Sequence, residues 1–300
     1  MKKKTVGIML SLSMAMSLMA CVSSTQPAAA SVDTEEPAAT TQAASTAEAT
    51  ASSTEAAADT AASTADVTTI KDGTLMVGVE IGYPPMEYFD TDGATPIGFD
   101  VEVANALADY LGLELVDTSW DGIFAGVDTG KYDCIISCVS ITDERKEQFN
   151  LTKPYVSNHT VLIVPNDSEI DSMEALNGHS TAVQAETTAD DYMKEHSAEL
   201  GAELFQYDKV INCFDDLKAG RTDSVFTDSV VAAYYLGDEA SNYKTVWEND
   251  ELEPIGICLK KGNDGLTQAI DDALDALSAD GTLGTIAEKY FGTDLTAGLR

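Results

Sequence analysis

Basic side chains are scarce in this chain. It has 17 Lys and Arg against 51 Asp and Glu, a formal net charge of −34 over 300 residues. That shortage argues against a nucleic-acid surface, because neutralising phosphates takes clustered Lys and Arg. It argues equally against flat adsorption on anionic lipid. Solubility is the plain use of such a charge. No Cys-x-x-Cys occurs among the five cysteines, and His159, His179 and His196 have no zinc-type spacing to any of them. No metal site and no cofactor is therefore expected. Cys134, Cys138, Cys213 and Cys258 lie in apolar runs and read as buried, inert thiols. Outside the cell an even count leaves a disulfide open, for example Cys134 with Cys258.

Beyond the N-terminal stretch no run is apolar enough to span a bilayer. Met1–Ala20 reads as a secretory signal, with Lys2, Lys3 and Lys4 as its basic end. It ends in Leu18-Met19-Ala20-Cys21, which resembles a bacterial lipobox. The Cys21 thiol would take a diacylglycerol, and two acyl chains anchor stably where one does not. The alternative is an ordinary signal peptide that happens to contain a cysteine. Residues 21–68 then make a lipidated tether. From Val22 to Val67 there is no Lys, Arg, aromatic residue or Leu. Such a segment cannot bury enough apolar surface to offset its ordering entropy. As a flexible coil its mean reach is about 35–40 Å. The expected location is the outer face of the cytoplasmic membrane, lipid-anchored, at a cell surface or in a periplasm.

After the tether, the length suits about two domains, and the pattern becomes α/β. Leu75–Val79, Leu113–Val116 and Cys134–Ser137 read as strands. Between them lie a helix with Phe99, Val103, Leu107, Tyr110 and Leu111 on one face, closed by Gly112, and a short helix at Gly122–Asp128. A second series follows, with strands at Thr160–Val164, Thr181–Val183, Glu203–Phe205, Ser224–Phe226 and Thr245–Trp247. Its helices fall at Thr187–His196, Ile211–Ala219 and Val230–Leu236, and two more close the chain. This alternation predicts parallel sheets covered on both faces, in two similar lobes.

Chemistry concentrates just past the strands, where open α/β sheets place ligands. In the cluster Glu80 to Tyr88, Glu80 suits an ammonium and Tyr83 a ligand side chain; the alternative is a Pro-rich loop with a ring plugging the core. In Ser137-Cys138-Val139-Ser140-Ile141-Thr142-Asp143-Glu144-Arg145, Thr142 reads as an N-cap. Arg145 is electrostatically out of place in a first helical turn. Either it holds a carboxylate through two parallel hydrogen bonds, or it pairs at the surface with Asp143 or Glu147. Gln184 to Ala189 runs from strand into helix, so Thr188 and the amides there suit an anion or simply cap the helix. Asp228 is either another cap or a second charge facing the cleft. With Trp120, these loops offer one cation, two acids and two aromatic rings, the complement of a zwitterion.

At these residues the sequence resembles the bacterial extracellular solute-binding proteins of family 3, the amino-acid receptors of ABC importers. The match runs from about Gly73 to Thr293. It is carried by Tyr83-Pro-Pro-Met-Glu-Tyr88, Gly98-Phe-Asp-Val-Glu-Val103, Trp120-Asp-Gly122, Gly130-Lys-Tyr-Asp133, Ser140-Ile-Thr-Asp-Glu-Arg145, Gln184-Ala-Glu-Thr-Thr188, Thr227-Asp228 and Lys289-Tyr-Phe-Gly292 in that order. The resemblance implies a two-lobed, type II periplasmic-binding-protein-like α/β fold with two hinge crossings. Residues 69–156 plus 254–300 would form lobe 1, and 157–253 lobe 2. It implies capture of a polar L-amino acid by a monomer, which delivers it to ABC permease subunits, and no catalysis. Arg145, assisted by Ser140 and Thr188, would hold the carboxylate and Asp228 the ammonium. Glu80, Tyr83, Trp120, Ser137, Cys138 and Gln184 would line the pocket. Glu186 departs from the family's glycine, at a cost if that turn needs a positive φ. A rival is an extracytoplasmic dehydratase of cyclic amino-acid precursors on the same fold.

Overall fold

The computed structural model describes residues 68–108, 112–239 and 242–300. The signal, Cys21 and all but the last residue of the tether lie outside these residues, as do Tyr110 and Leu111.

The chain runs β1 (Thr74–Val79), β2 (Tyr88–Phe89), β3 (Pro96–Ile97), α1 (Phe99–Leu107), β4 (Gly112–Asp117), α2 (Trp120–Thr129), β5 (Cys134–Ile135), α3 (Asp143–Gln148), β6 (Phe149–Leu151) and β7 (Val156–Asn158). It continues through β8 (Thr160–Pro165), β9 (Ser180–Gln184), α4 (Thr188–Leu200), β10 (Glu203–Tyr207), α5 (Val210–Lys218), β11 (Ser224–Asp228), α6 (Ser229–Glu239) and β12 (Tyr243–Glu248). It ends with β13 (Glu253–Ile255), β14 (Cys258–Lys260), α7 (Asp264–Ala279) and α8 (Thr282–Phe291).

Two five-stranded sheets result, ordered β4-β1-β5-β14-β6 and β10-β9-β11-β8-β12. In each, three strands are parallel and the fourth runs against its two neighbours. The sheets are therefore mixed, not parallel as the strand–helix alternation suggested. The antiparallel members β14 and β8 are the strands that enter each sheet directly from a crossing. β7 carries the chain from the first sheet to the second, β13 carries it back, and the two pair antiparallel.

Apolar spacing accounts for the helices. Phe99, Val103, Ala104 and Leu107 are buried on α1, and Phe99 stacks on Tyr155 at 5.9 Å. Gly112 is not the end of this helix: α1 stops at Leu107 with Ala108 as its C-cap, and Gly112 opens β4. Gly98 is required where it stands. Its φ is +135°, and a Cβ there would lie 2.1 Å from the Met86 carbonyl oxygen. That approach lets the amides of Phe99 and Asp100 donate to the carbonyls of Pro85 and Met86, each at 2.9 Å, which fixes the Tyr83–Glu87 turn.

Cys134, Cys138, Cys213 and Cys258 are all buried free thiols. The Cys134–Cys258 disulfide does not form. Cys258 pairs with Ile135, one residue off Cys134, so the two side chains stand on opposite faces of the sheet.

Candidate functional site

Strands β1, β4 and β5 of one sheet, and β9 and β11 of the other, send their C-terminal ends to the cleft between the lobes. Glu80, Tyr83, Trp120, Ser137, Cys138, Ser140, Arg145, Gln184, Thr188 and Asp228 all line one cavity of about 300 Å³, counted with its mouth. Glu87 and Thr187 line it too. Glu87 sits inside the Tyr83–Tyr88 motif but carries no signal of its own that separates a cavity residue from a core one.

At one end lies Glu80, 3% exposed. Its Oε2 accepts from Gln184 Nε2 at 2.7 Å, across the cleft. Burial pushes its carboxyl up to about 7, against the Gln184 bond, the Lys209 charge and the nearby Trp120 backbone amide. Glu80 Oε1 and Gln184 Oε1 are both buried acceptors without a hydrogen-bond partner. Beneath them, Ser137 Oγ accepts from the Glu80 amide at 3.0 Å and donates to Glu87 Oε1 at 2.6 Å. Burial raises the Glu87 carboxyl well above the carboxylate range, and the neighbouring Asp100 carboxylate adds to this. Asp100 accepts from the Cys138 amide and from the Tyr155 hydroxyl, each at 2.7 Å.

In the middle, Asp228 closes β11. It accepts from Asn158 Nδ2 at 2.7 Å and from the Tyr83 hydroxyl, and the Cys138 thiol lies 3.7 Å away. Burial pushes its carboxyl up to about 7, and the Glu253 charge pushes the same way. At the far end, Thr142 caps α3 by accepting from the Arg145 amide at 3.1 Å, as its sequence position implied. Arg145 does not pair with Asp143, which instead binds Lys146 at 3.1 Å. Its Nη1 donates to the Ser140 carbonyl at 2.9 Å. Its guanidinium lies 4.9 Å from the Phe124 ring centre and 5.7 Å from that of Trp120. No carboxylate among the described residues comes within 4.0 Å of it.

Two backbone outliers rim the cavity, Cys138 at φ +48° and Glu186 at φ +63°. The turn does need a positive φ at Glu186, and a side chain there costs about 1 kcal/mol. The Glu186 carbonyl accepts from Trp120 Nε1 at 2.9 Å, so this turn latches lobe 2 to lobe 1. Lys209 Nζ adds a further bridge, to the Ile81 carbonyl at 3.3 Å.

A hinged pair of α/β lobes around a buried cavity, with a cation at one end and acids at the other, defines a solute-binding protein. The model of the bacterial extracellular solute-binding proteins, family 3, matches residues 75–293. The L-cystine-binding protein TcyJ of Escherichia coli K12 is 33% identical over 228 residues, covering 75% of this chain and 85% of TcyJ. A structure described as an ancestral arginine-binding protein bound to arginine is 35% identical, with a TM-score of 0.70 over 73% of this chain and 99% of that one. Another is the ancestral amino acid-binding protein AncCDT-1, a precursor of cyclohexadienyl dehydratase. It is 34% identical, with a TM-score of 0.67 over 73% of this chain and 95% of that one. The chain belongs to family 3 of the bacterial extracellular solute-binding proteins. No helix among the described residues is long and apolar enough to cross a membrane.

Proposed function

We propose that this protein captures a cationic L-amino acid between its lobes and delivers it to the permease of an ABC importer. The observation that carries the reading is the cluster of buried oxygens without partners, Glu80 Oε1, Gln184 Oε1 and Glu87 Oε2, in the cavity that Arg145 also lines. A buried acceptor without a donor is costly, so the site calls for a ligand rich in N–H groups at that end. Arg145, with no carboxylate of its own, takes the ligand's carboxylate with Ser140 and Thr188. Asp228 takes the α-ammonium. The relatives named for cystine and arginine support an amino-acid ligand. Residues 69–156 with 254–300, and 157–253, act as the two closing lobes, the monomer being anchored through Cys21. In calorimetric titrations, L-arginine, L-lysine or L-histidine binds the intact chain. Arg145→Ala removes that binding while leaving the melting transition in place. Retained affinity in that variant refutes the assignment.

One observation favours a second reading. Glu80 and Asp228, both raised to about 7, have the proton affinity of general acids at neutral pH, and AncCDT-1 is described as the precursor of a dehydratase. Product formation from prephenate or arogenate distinguishes the two.

A further inference from the structure

The lobe 2 wall of the cavity is wired to the strand pair that joins the lobes. In the β7–β13 ladder Glu253 stands opposite Asn158. Both side chains reach the site: Asn158 Nδ2 donates to Asp228 Oδ1 at 2.7 Å, and Glu253 Oε1 accepts from the Thr188 hydroxyl. Thr188 is the first residue of α4 and lines the cavity. A hydroxyl has one proton, so Thr188 can serve one carboxylate at a time. Glu253 is half-buried, and its charge is the strongest of those acting on both Arg145 and Asp228. Yet it stays more than 4.0 Å from the guanidinium. A carboxylate that takes the Thr188 proton and bears electrostatically on Arg145 occupies the role that an amino acid's carboxylate needs.

We propose that Glu253 is an internal stand-in for the ligand's α-carboxylate, holding Thr188 and yielding it when a ligand's carboxylate enters. This rests on the reading of the site as an amino-acid clamp. Glu253 is then a residue that sets affinity without being part of the bound arrangement. It lowers affinity for ligands carrying an α-carboxylate, which must compete for Thr188 and are repelled by a like charge. A ligand whose carboxylate is replaced by a neutral amide escapes the charge repulsion and competes for Thr188 only as a weaker acceptor.

The test compares L-arginine with L-argininamide, L-lysine with L-lysinamide and L-histidine with L-histidinamide, by calorimetry on the intact chain. The readout is the ratio of amide to acid dissociation constants. In Glu253→Ala this ratio rises about tenfold over that of the unsubstituted protein, the size of one charge-assisted hydrogen bond. In Glu253→Gln, which keeps the shape and a weaker acceptor, it rises by less. Thermal melting shows that each variant is folded, and the Gln variant decides the matter should the Ala variant not fold. An unchanged ratio overturns the proposal, whether both ligands weaken together, as for a group that holds the α-ammonium, or neither moves. If the unsubstituted protein binds none of the three acids, the clamp reading falls and this inference with it.

Discussion

Replacing Glu80 by Gln tests the part of the site proposed to choose the side chain. The substitution removes one charge and keeps volume. The new amide oxygen can still accept from Gln184 Nε2, which Glu80 Oε2 does at 2.7 Å. The new NH2 can donate to Gln184 Oε1, now without a partner. Folding should therefore survive. A charge-assisted hydrogen bond contributes about 1.5–3 kcal/mol, or roughly 10- to 150-fold in affinity. L-arginine and L-citrulline make the comparison, being close in shape and different in charge. The unsubstituted protein should prefer arginine by that factor, and Glu80→Gln should bring the preference close to one. Proton linkage adds a second readout. With its carboxyl at about 7, Glu80 must lose a proton to face a cation at lower pH, so arginine affinity falls as pH drops from 8 to 6. Asp228, also at about 7 and proposed to take the ammonium, contributes the same sign, so the variant keeps only part of the slope. Isothermal titration at several pH values measures both. Equal affinity for arginine and citrulline in the unsubstituted protein, or discrimination that survives in the variant, refutes the side-chain assignment.

Stability of the empty protein should depend on pH in a direction set by the same acids. Burial raises Glu80 from 4.5 to about 7, Asp100 from 3.8 to about 6 and Asp228 from 3.8 to about 7. An acid that holds its proton more tightly in the folded state makes stability fall as pH rises between its unfolded and folded values. Glu80 alone accounts for about 3 kcal/mol across that window. The ligand-free melting temperature should thus be several degrees higher at pH 5 than at pH 7.5, by scanning calorimetry; a higher value at pH 7.5 contradicts the burial argument. Cys21→Ser should release the protein from the membrane fraction, measured by fractionation and immunoblotting, and a variant that stays bound rules out lipid at that residue.

The parts of this molecule that were legible in the sequence are those whose cause is local. Arg145 stands out because a cation in a first helical turn opposes the helix dipole, and among the described residues it is the guanidinium with no carboxylate within 4.0 Å. Glu80, Ser137, Gln184 and Asp228 were legible because each ends or closely follows a strand. Strand direction was not legible. β8 and β14 are antiparallel because the chain enters each sheet from a crossing, and side-chain periodicity is the same either way. The β2–β3 hairpin leaves no periodic signal because its strands have two residues each. Asn158 and Glu253 escaped for another reason. They lie 70 and 65 residues from the partners they hold, Asp228 and Thr188, and only the β7–β13 ladder brings them there.

Charge balance in the cavity decides the order in which ligands should bind. Above about pH 7, where Glu80 and Asp228 both ionise, the lining sets them against Arg145, one negative charge in excess, while burial holds Glu87 well above the carboxylate range. A neutral zwitterion leaves that excess buried, and an uncompensated buried charge is costly. An anionic amino acid adds a second negative charge. A cationic one brings the sum to zero and supplies donors to the two orphaned oxygens of Glu80 and Gln184. A cation thus relieves the electrostatic cost of this lining most completely, and that relief appears as affinity. Selectivity in this pocket follows from what the folded chain leaves unpaired.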